Sequence, residues 1–462
     1  MTDQREPQTL QDLIDTTPNL VDHLYGNRKG SVVRDAVQRQ PTRFVSPEFT
    51  NWRDEQRAWR ETVALYDQSF HMTETYVRGR DAMAFFESLG MNGFKTFGPQ
   101  RARHFLPCTP AGHVIGDGIL YCENPEEITL VGRAAGHNWI AFQAETGSWD
   151  VSIERDEIFS ANPAGRRKVY RFQLEGPHAF DLLEKLTGEP LPDTRAFHII
   201  SLTIAGHRVS ALRHTMAGGP GYELYGPWDE REAVKTAIVE AGADFELRQV
   251  GSMAYFTTAV ELGWIARPLP GIFTDEALRP FREWLPASCE EATWSIGGSF
   301  YSPRIEDYYF TPYELGYGHL IKLNHDFVGR AALVRMAGEN HRRKVTLEWN
   351  ADDFGRVCAS YLTPGETPAK FIDLPRANYS TWQYDAVLDH RGRTVGVANY
   401  TCASWNERAM LSVAVVEAEH AEPGKELTLV WGEPEGGAKS APWLEPHRQV
   451  EIRATVVKSY AD

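Results

Sequence analysis

A change of rhythm near residue 343 restricts this chain more than any other feature of its sequence. Up to that point strand-like and helix-like stretches alternate. KVYRFQLEGPHAFDLLEKLTG reads as strand, Gly-Pro turn and helix, and HRVSALRHTMAGGPGYELYGPWDEREAVKTAIVEAG repeats the order. Beyond it come only short strands punctuated by Gly, Asn or Asp: RKVTLEWN, YDAVLDHRGRTVGVANYTCAS, RAMLSVAVVE, KELTLVWGE and RQVEIRATVV. A tail of this kind buries its apolar faces by closing into a small barrel or sandwich. The expected fold class is α+β, with an N-terminal arm over 1–50, an α+β body of two subdomains over 51–343 and a small C-terminal β-barrel over 344–462.

Within the body, Trp52, Trp59, Val63, Leu65 and Tyr66 stand at helical spacing and predict one helix from Trp52 to near Asp67. Further helices are expected over 81–89 and 134–146, and a short amphipathic one over 10–20 in the arm. No GxGxxG or GxxxxGK[ST] accompanies the alternation, so neither of those nucleotide loops is present. Acidic residues outnumber basic ones 63 to 48. That balance repels a phosphate backbone and argues against a nucleic-acid partner. The runs Arg166-Arg167-Lys168 and Arg342-Arg343-Lys344 read as solvated turn charges leading into strands. Five scattered cysteines without a CxxC offer neither a disulfide framework nor a metal site. The polar start and the lack of any apolar run of membrane length predict a cytoplasmic protein with no membrane partner.

Three stretches carry a family resemblance. DYYFTPYELGYGHLIKLNHDFVGRAAL contains Pro312, Glu314, Gly316, Gly318 and Lys322 ahead of the turn Asp326-Phe327-x-Gly329-Arg330; YDQSFHM covers 66–72; and RHTMAGGPGYELYGP precedes VGSMAYFTTAVELGW. Together these resemble the glycine-cleavage T-protein family from about residue 48 to the end of the chain. Within it, SPEFTNWRDEQRAW, TPAGHVIGDGI, VGRAAGHNW, REWLPAS, IGGSF and WLEPHRQ are similar to the tetrahydrofolate-dependent O-demethylases of vanillate and syringate. Tyr255 stands where the amino-methyltransferase branch carries Arg, a substitution that the O-demethylases share.

The resemblance implies a T-protein-like body, tetrahydrofolate as methyl acceptor, a small methoxylated aromatic acid as substrate, and a catechol as product. An aryl ether gives up its methyl group only when the departing phenolate is protonated or held by positive potential. Tyr255 is the candidate acid, since a phenol matches the phenol being released. His71 is the alternative, or a holder of the ring hydroxyl. Arg133, at the end of ITLVGR, is placed to grip a benzoate carboxylate. Glu223 matches the pterin-binding Glu, Asp117 matches an Asp near the reacting nitrogen, and Gln68, Trp264 and Val131 line the cofactor site by position in the matched strings. Asp117 equally suits a cap on its Gly-Asp-Gly turn.

The chain departs from the pattern in two places. GSVVRDAV puts Val32 and Arg34 where the vanillate enzyme has two arm tyrosines, leaving Arg34 as a second candidate carboxylate contact, and Gly218-Gly219-Pro220-Gly221 lacks the acidic pair of the T-protein turn. Two other readings share the fold: a folate-dependent demethylase of a sulfonium or N-methyl amine, and a folate-binding relative without turnover.

Overall fold

The computed structural model describes residues 6–27, 44–437 and 444–458. Two sheets face each other in the body. One has six strands in the order Arg248–Val250, Ala64–Asp67, Val169–Glu175, Gly221–Pro227, His207–Arg213 and Ile199–Ile204, antiparallel except for the first pair. The other is fully antiparallel, in the order Arg101–Phe105, Gly118–Asn124, Glu127–Gly132, Thr73–Arg78 and Ser152–Asp156. Successive side chains of a strand point to opposite faces, so each sheet has two populations. Phe172, Leu174 and Leu224 turn outward to helices Ala179–Thr187 and Arg231–Gly242, where Leu182, Leu183, Val234 and Ile238 complete a core. Val77, Leu120, Ile128 and Leu130 do the same against Phe85, Phe86 and Leu89 of helix Ala82–Leu89. The intervening residues, among them Arg171, Glu223, Glu74, Tyr121 and Val131, are thereby left between the two sheets.

From Arg343 onward six strands close an antiparallel barrel in the order Arg343–Trp349, Ala409–Val416, Thr394–Ser404, Asp385–Leu388, Glu426–Trp431 and Val450–Val457. Barrel and body share a core, since Val397, Cys402, Leu411, Val413 and Val415 pack in one cluster with Leu269, Ile296 and Phe310. All five cysteines are free. Among the described residues, no helix is long and apolar enough to cross a membrane.

Three expectations are corrected. The helix from Trp52 stops at Glu61, and Ala64–Asp67 is a strand. All four residues are buried and the first three are paired on both sides, so Ala64 and Tyr66 find apolar partners on one face while Leu65 finds them on the other. A helix would have buried only one of these sets. The arm holds two short helices, Leu10–Thr16 and Leu20–Gly26, capped by Thr9 and Asn19, instead of one. Leu10, Val21 and Leu24 insert into the shared core. Finally, Arg167 is no solvated turn charge: it is 2% exposed and paired with Asp156 at 2.9 Å. Arg342 is half-buried on Glu314 at 2.6 Å.

Candidate active site

Body and barrel border a cavity of about 300 Å3 with largely apolar walls, including Met72, Ile119, Phe197, Phe256 and Leu262. Tyr255, His71, Asp117, Arg133, Glu223, Gln68, Trp264 and Val131 all line it. Val32 and Arg34 lie outside the described residues.

Tyr255 ends the short helix Ser252–Tyr255, whose leading amides donate to the carbonyls of Ser46 (3.0 Å) and Pro47 (3.1 Å). Gly251 is needed there: a Cβ would sit 2.2 Å from the Pro47 carbonyl oxygen. The Tyr255 hydroxyl lies 2.9 Å from His71 Nε2, with the two rings edge to face. His71 follows the strand Ala64–Asp67, and its carbonyl accepts from Arg133 Nη1 at 3.2 Å. Burial holds the imidazole well below its ordinary range, and the charges of Arg133 and Arg267 add to the effect. The ring is therefore neutral at neutral pH. Burial also pushes the Tyr255 phenol above its ordinary range against the pull of Arg133, so it keeps its proton. Burial lowers Arg133 to about 10, which leaves it charged.

Glu223 is 3% exposed, between the sheets. Its Oε1 accepts from Tyr121 (2.7 Å) and from Arg171 Nη1 (2.6 Å), while Arg171 Nε bonds Glu74 of the opposite sheet at 2.7 Å. One arginine thus fixes two buried carboxylates and ties the sheets together. Gln68 is held by its amide on the Arg171 carbonyl (2.9 Å) and by a contact of Nε2 with the Met216 sulfur, whereas its buried Oε1 has no partner. The turn that brings the Glu223 strand back starts at Gly218, whose φ of 84° only glycine adopts freely.

Asp117 does not cap its own turn. Its Oδ2 accepts from Trp264 Nε1 (3.1 Å) and Tyr317 Oη (3.2 Å) and lies 3.4 Å from His104 Nε2. Tyr317 comes from the run 307–333, most of which serves as scaffold: Glu314 binds Arg342, and Arg330 donates to the Leu323 carbonyl at 2.8 Å.

The family described as GCVT N-terminal domain matches residues 23–267, more than half of the chain. The chain belongs to that family. This GCVT-family protein is 44% identical over 449 residues, 97% of its length and 95% of the relative's, to the syringate O-demethylase of Sphingobium sp. (strain NBRC 103272 / SYK-6). It is 30% identical over 406 residues, 85% of its length and 87% of the relative's, to the sesamin methylene transferase of Sinomonas sp. (strain No.22). Its fold resembles the glycine cleavage system aminomethyltransferase T from Bartonella henselae, with a TM-score of 0.59 at 15% identity, covering 89% of this chain and 90% of that one.

Sequence reasoning missed several lining residues of this GCVT-family protein: His104, Tyr121, Arg267, Tyr317, Arg376 and Tyr400. Tyr317 lies inside a quoted motif, and Arg267 stands three residues after Trp264. The other four come from distant segments, and no local spacing marks them.

Proposed function

We propose that this protein transfers a methyl group from the ring methoxy of an aromatic acid, of the syringate, vanillate or 3-O-methylgallate class, to tetrahydrofolate. The products are 5-methyltetrahydrofolate and a catechol. The observation that carries the reading is the pairing of a protonated buried phenol with a neutral histidine at 2.9 Å, in a cavity that also holds Glu223 and Gln68. The relationship to a syringate O-demethylase along nearly the whole chain supports the same substrate class.

The donor edge of a reduced pterin fits the residues present, because Gln68 Oε1 is a buried acceptor without a partner and Glu223 is an oriented carboxylate lining the same cavity. When bound, tetrahydrofolate supplies the secondary amine that accepts the methyl group. Asp117, held by Trp264 and Tyr317, orients that end of the cavity. The protein's largest contribution is placement, since holding two reactants in line removes up to about 7–11 kcal/mol of association and reorganisation cost from the barrier. As the ether C–O bond breaks, Tyr255 directs its hydroxyl proton to the leaving oxygen. The Nε2-protonated tautomer of His71 donates to Tyr255 Oη and frees that proton for the substrate. The proton that the acceptor amine would give up on methylation restores the Tyr255 hydroxyl, so the proton count closes. Arg133 lends positive potential beside the pair and a donor for the ring carboxylate. The same reading places the reaction in the cytoplasm, where free cysteines such as these five persist.

Incubation with tetrahydrofolate and a panel of methoxybenzoates tests the proposal. Chromatography is expected to detect 5-methyltetrahydrofolate and the matching catechol in equal amounts. Failure of methyl transfer from every methoxybenzoate overturns it.

A further inference from the structure

Arg133 is not the only arginine in the cavity. Arg267 and Arg376 line it too, and among the described residues none of the three forms an ion pair with a carboxylate within 4.0 Å. Aromatic faces support the two additional guanidiniums: Arg376 Cζ stands 4.6 Å from the Phe256 ring centroid and Arg267 Cζ 5.5 Å from that of Trp294. Arg376 Nε is buried without a partner, and so is the hydroxyl of Tyr400, a residue only 9% exposed. The nearby acid Glu290 is held up to about 7, by burial first and then by Glu291, so it neutralises the arginines only in part. Three cations and an unpaired hydroxyl converging on an apolar cavity call for a planar anion.

The backbone around Arg376 and Tyr400 is built to aim them. The segment 375–377 runs against the barrel strand Thr394–Ser404, with the Ala403 amide donating to the Pro375 carbonyl (2.6 Å) and the Ala377 amide to the Thr401 carbonyl (3.1 Å). Asn378 Nδ2 adds a bond to the Asn399 carbonyl at 2.9 Å. Between Ala398 and Tyr400 the register of that strand shifts by one residue, and a bulge of this kind redirects the side chain that follows it.

We infer that Arg376 and Tyr400, supported by Arg267, form a carboxylate clamp through which the C-terminal barrel selects anionic aromatic substrates, sharing with Arg133 the grip on the ring carboxylate. The inference rests on the proposed function and assigns part of its substrate selectivity to Arg376 and Tyr400, which lie outside the folate-binding body. The carboxylates of the folate tail share this chemistry, so the test separates the two sources.

Steady-state constants would be measured for wild type, Arg376→Gln, Arg376→Lys and Tyr400→Phe, with a methoxybenzoate and its neutral primary amide as donors, and with tetrahydrofolate and a tail-less tetrahydropterin as acceptors. Titration of tetrahydrofolate onto each variant reports an intact site. The expected result for Arg376→Gln is a KM for the acid raised roughly 10- to 100-fold, the scale of a lost charged hydrogen bond, with the amide and both acceptors unchanged. Arg376→Lys is expected to recover part of the loss, and Tyr400→Phe to show a smaller rise of the same kind. Equal effects on acid and amide, or an effect confined to the acceptor with the glutamate tail, overturn the clamp while leaving the proposed function intact. A wild type that turns over neither donor removes the function and the clamp together.

Discussion

At the scale of single residues the site depends on two groups whose ordinary protonation is reinforced by burial. A phenol pushed above its usual range and an imidazole pushed below it share one hydrogen bond, and both are neutral throughout the physiological range. Protonating His71 would bury a third cation beside Arg133 and Arg267. Its folded pKa lies below the unfolded one, so its contribution to stability is complete above the unfolded value near 6.5 and declines as the pH falls through that value toward the folded one. The catalytic consequence is an expected absence of any His71 ionisation between about pH 5.5 and 7.5, the range around an ordinary imidazole. Profiles of kcat/KM for wild type and His71→Gln should run parallel there, and a limb near pH 6.5 that only the wild type shows would contradict the neutral assignment. His71 and Tyr255 were legible because they sit in motif strings. Arg376 and Tyr400 were not, because their places are set by a barrel strand and its bulge, contacts that connect segments far apart in sequence.

Among the elements, strand periodicity does most of the positioning. The alternation of VYRFQLE puts Tyr170, Phe172 and Leu174 on the helix side and Arg171, Gln173 and Glu175 between the sheets, a division that can be read from the sequence once the strand is known. What could not be read is which carboxylates Arg171 meets, since Glu74 belongs to the other sheet. The helix expected to reach Asp67 failed for a related reason: partner strands on both sides of Ala64–Asp67 outweigh a helical spacing that only continued the preceding turn. Because Arg171 compensates two buried carboxylates, Arg171→Gln should lower unfolding stability by roughly 3–5 kcal/mol, the scale for removing one partner of a buried pair. Tetrahydrofolate binding should weaken in parallel as Glu223 loses its orientation. Denaturant unfolding and a folate titration check this, and a loss below about 1 kcal/mol, the worth of an exposed pair, would mean that the carboxylates are satisfied without it.

For the whole molecule, the change of rhythm near residue 343 foretold the barrel but not its involvement in the site. The barrel shares its core with the body and supplies Tyr400 to the cavity wall, so both parts of the chain enclose the site. In the proposed function Glu223 and Gln68 serve the acceptor, whereas Tyr255 serves the oxygen that leaves. The most direct test compares wild type with Tyr255→Phe on methoxybenzoates whose product phenols span a range of acidity. For the least acidic phenols the variant should be slower by about 100- to 10,000-fold, the usual worth of a positioned general acid. The deficit should shrink steadily as the phenol becomes more acidic and needs its proton less. A deficit that stays the same across the series would contradict proton delivery by Tyr255 to the departing oxygen.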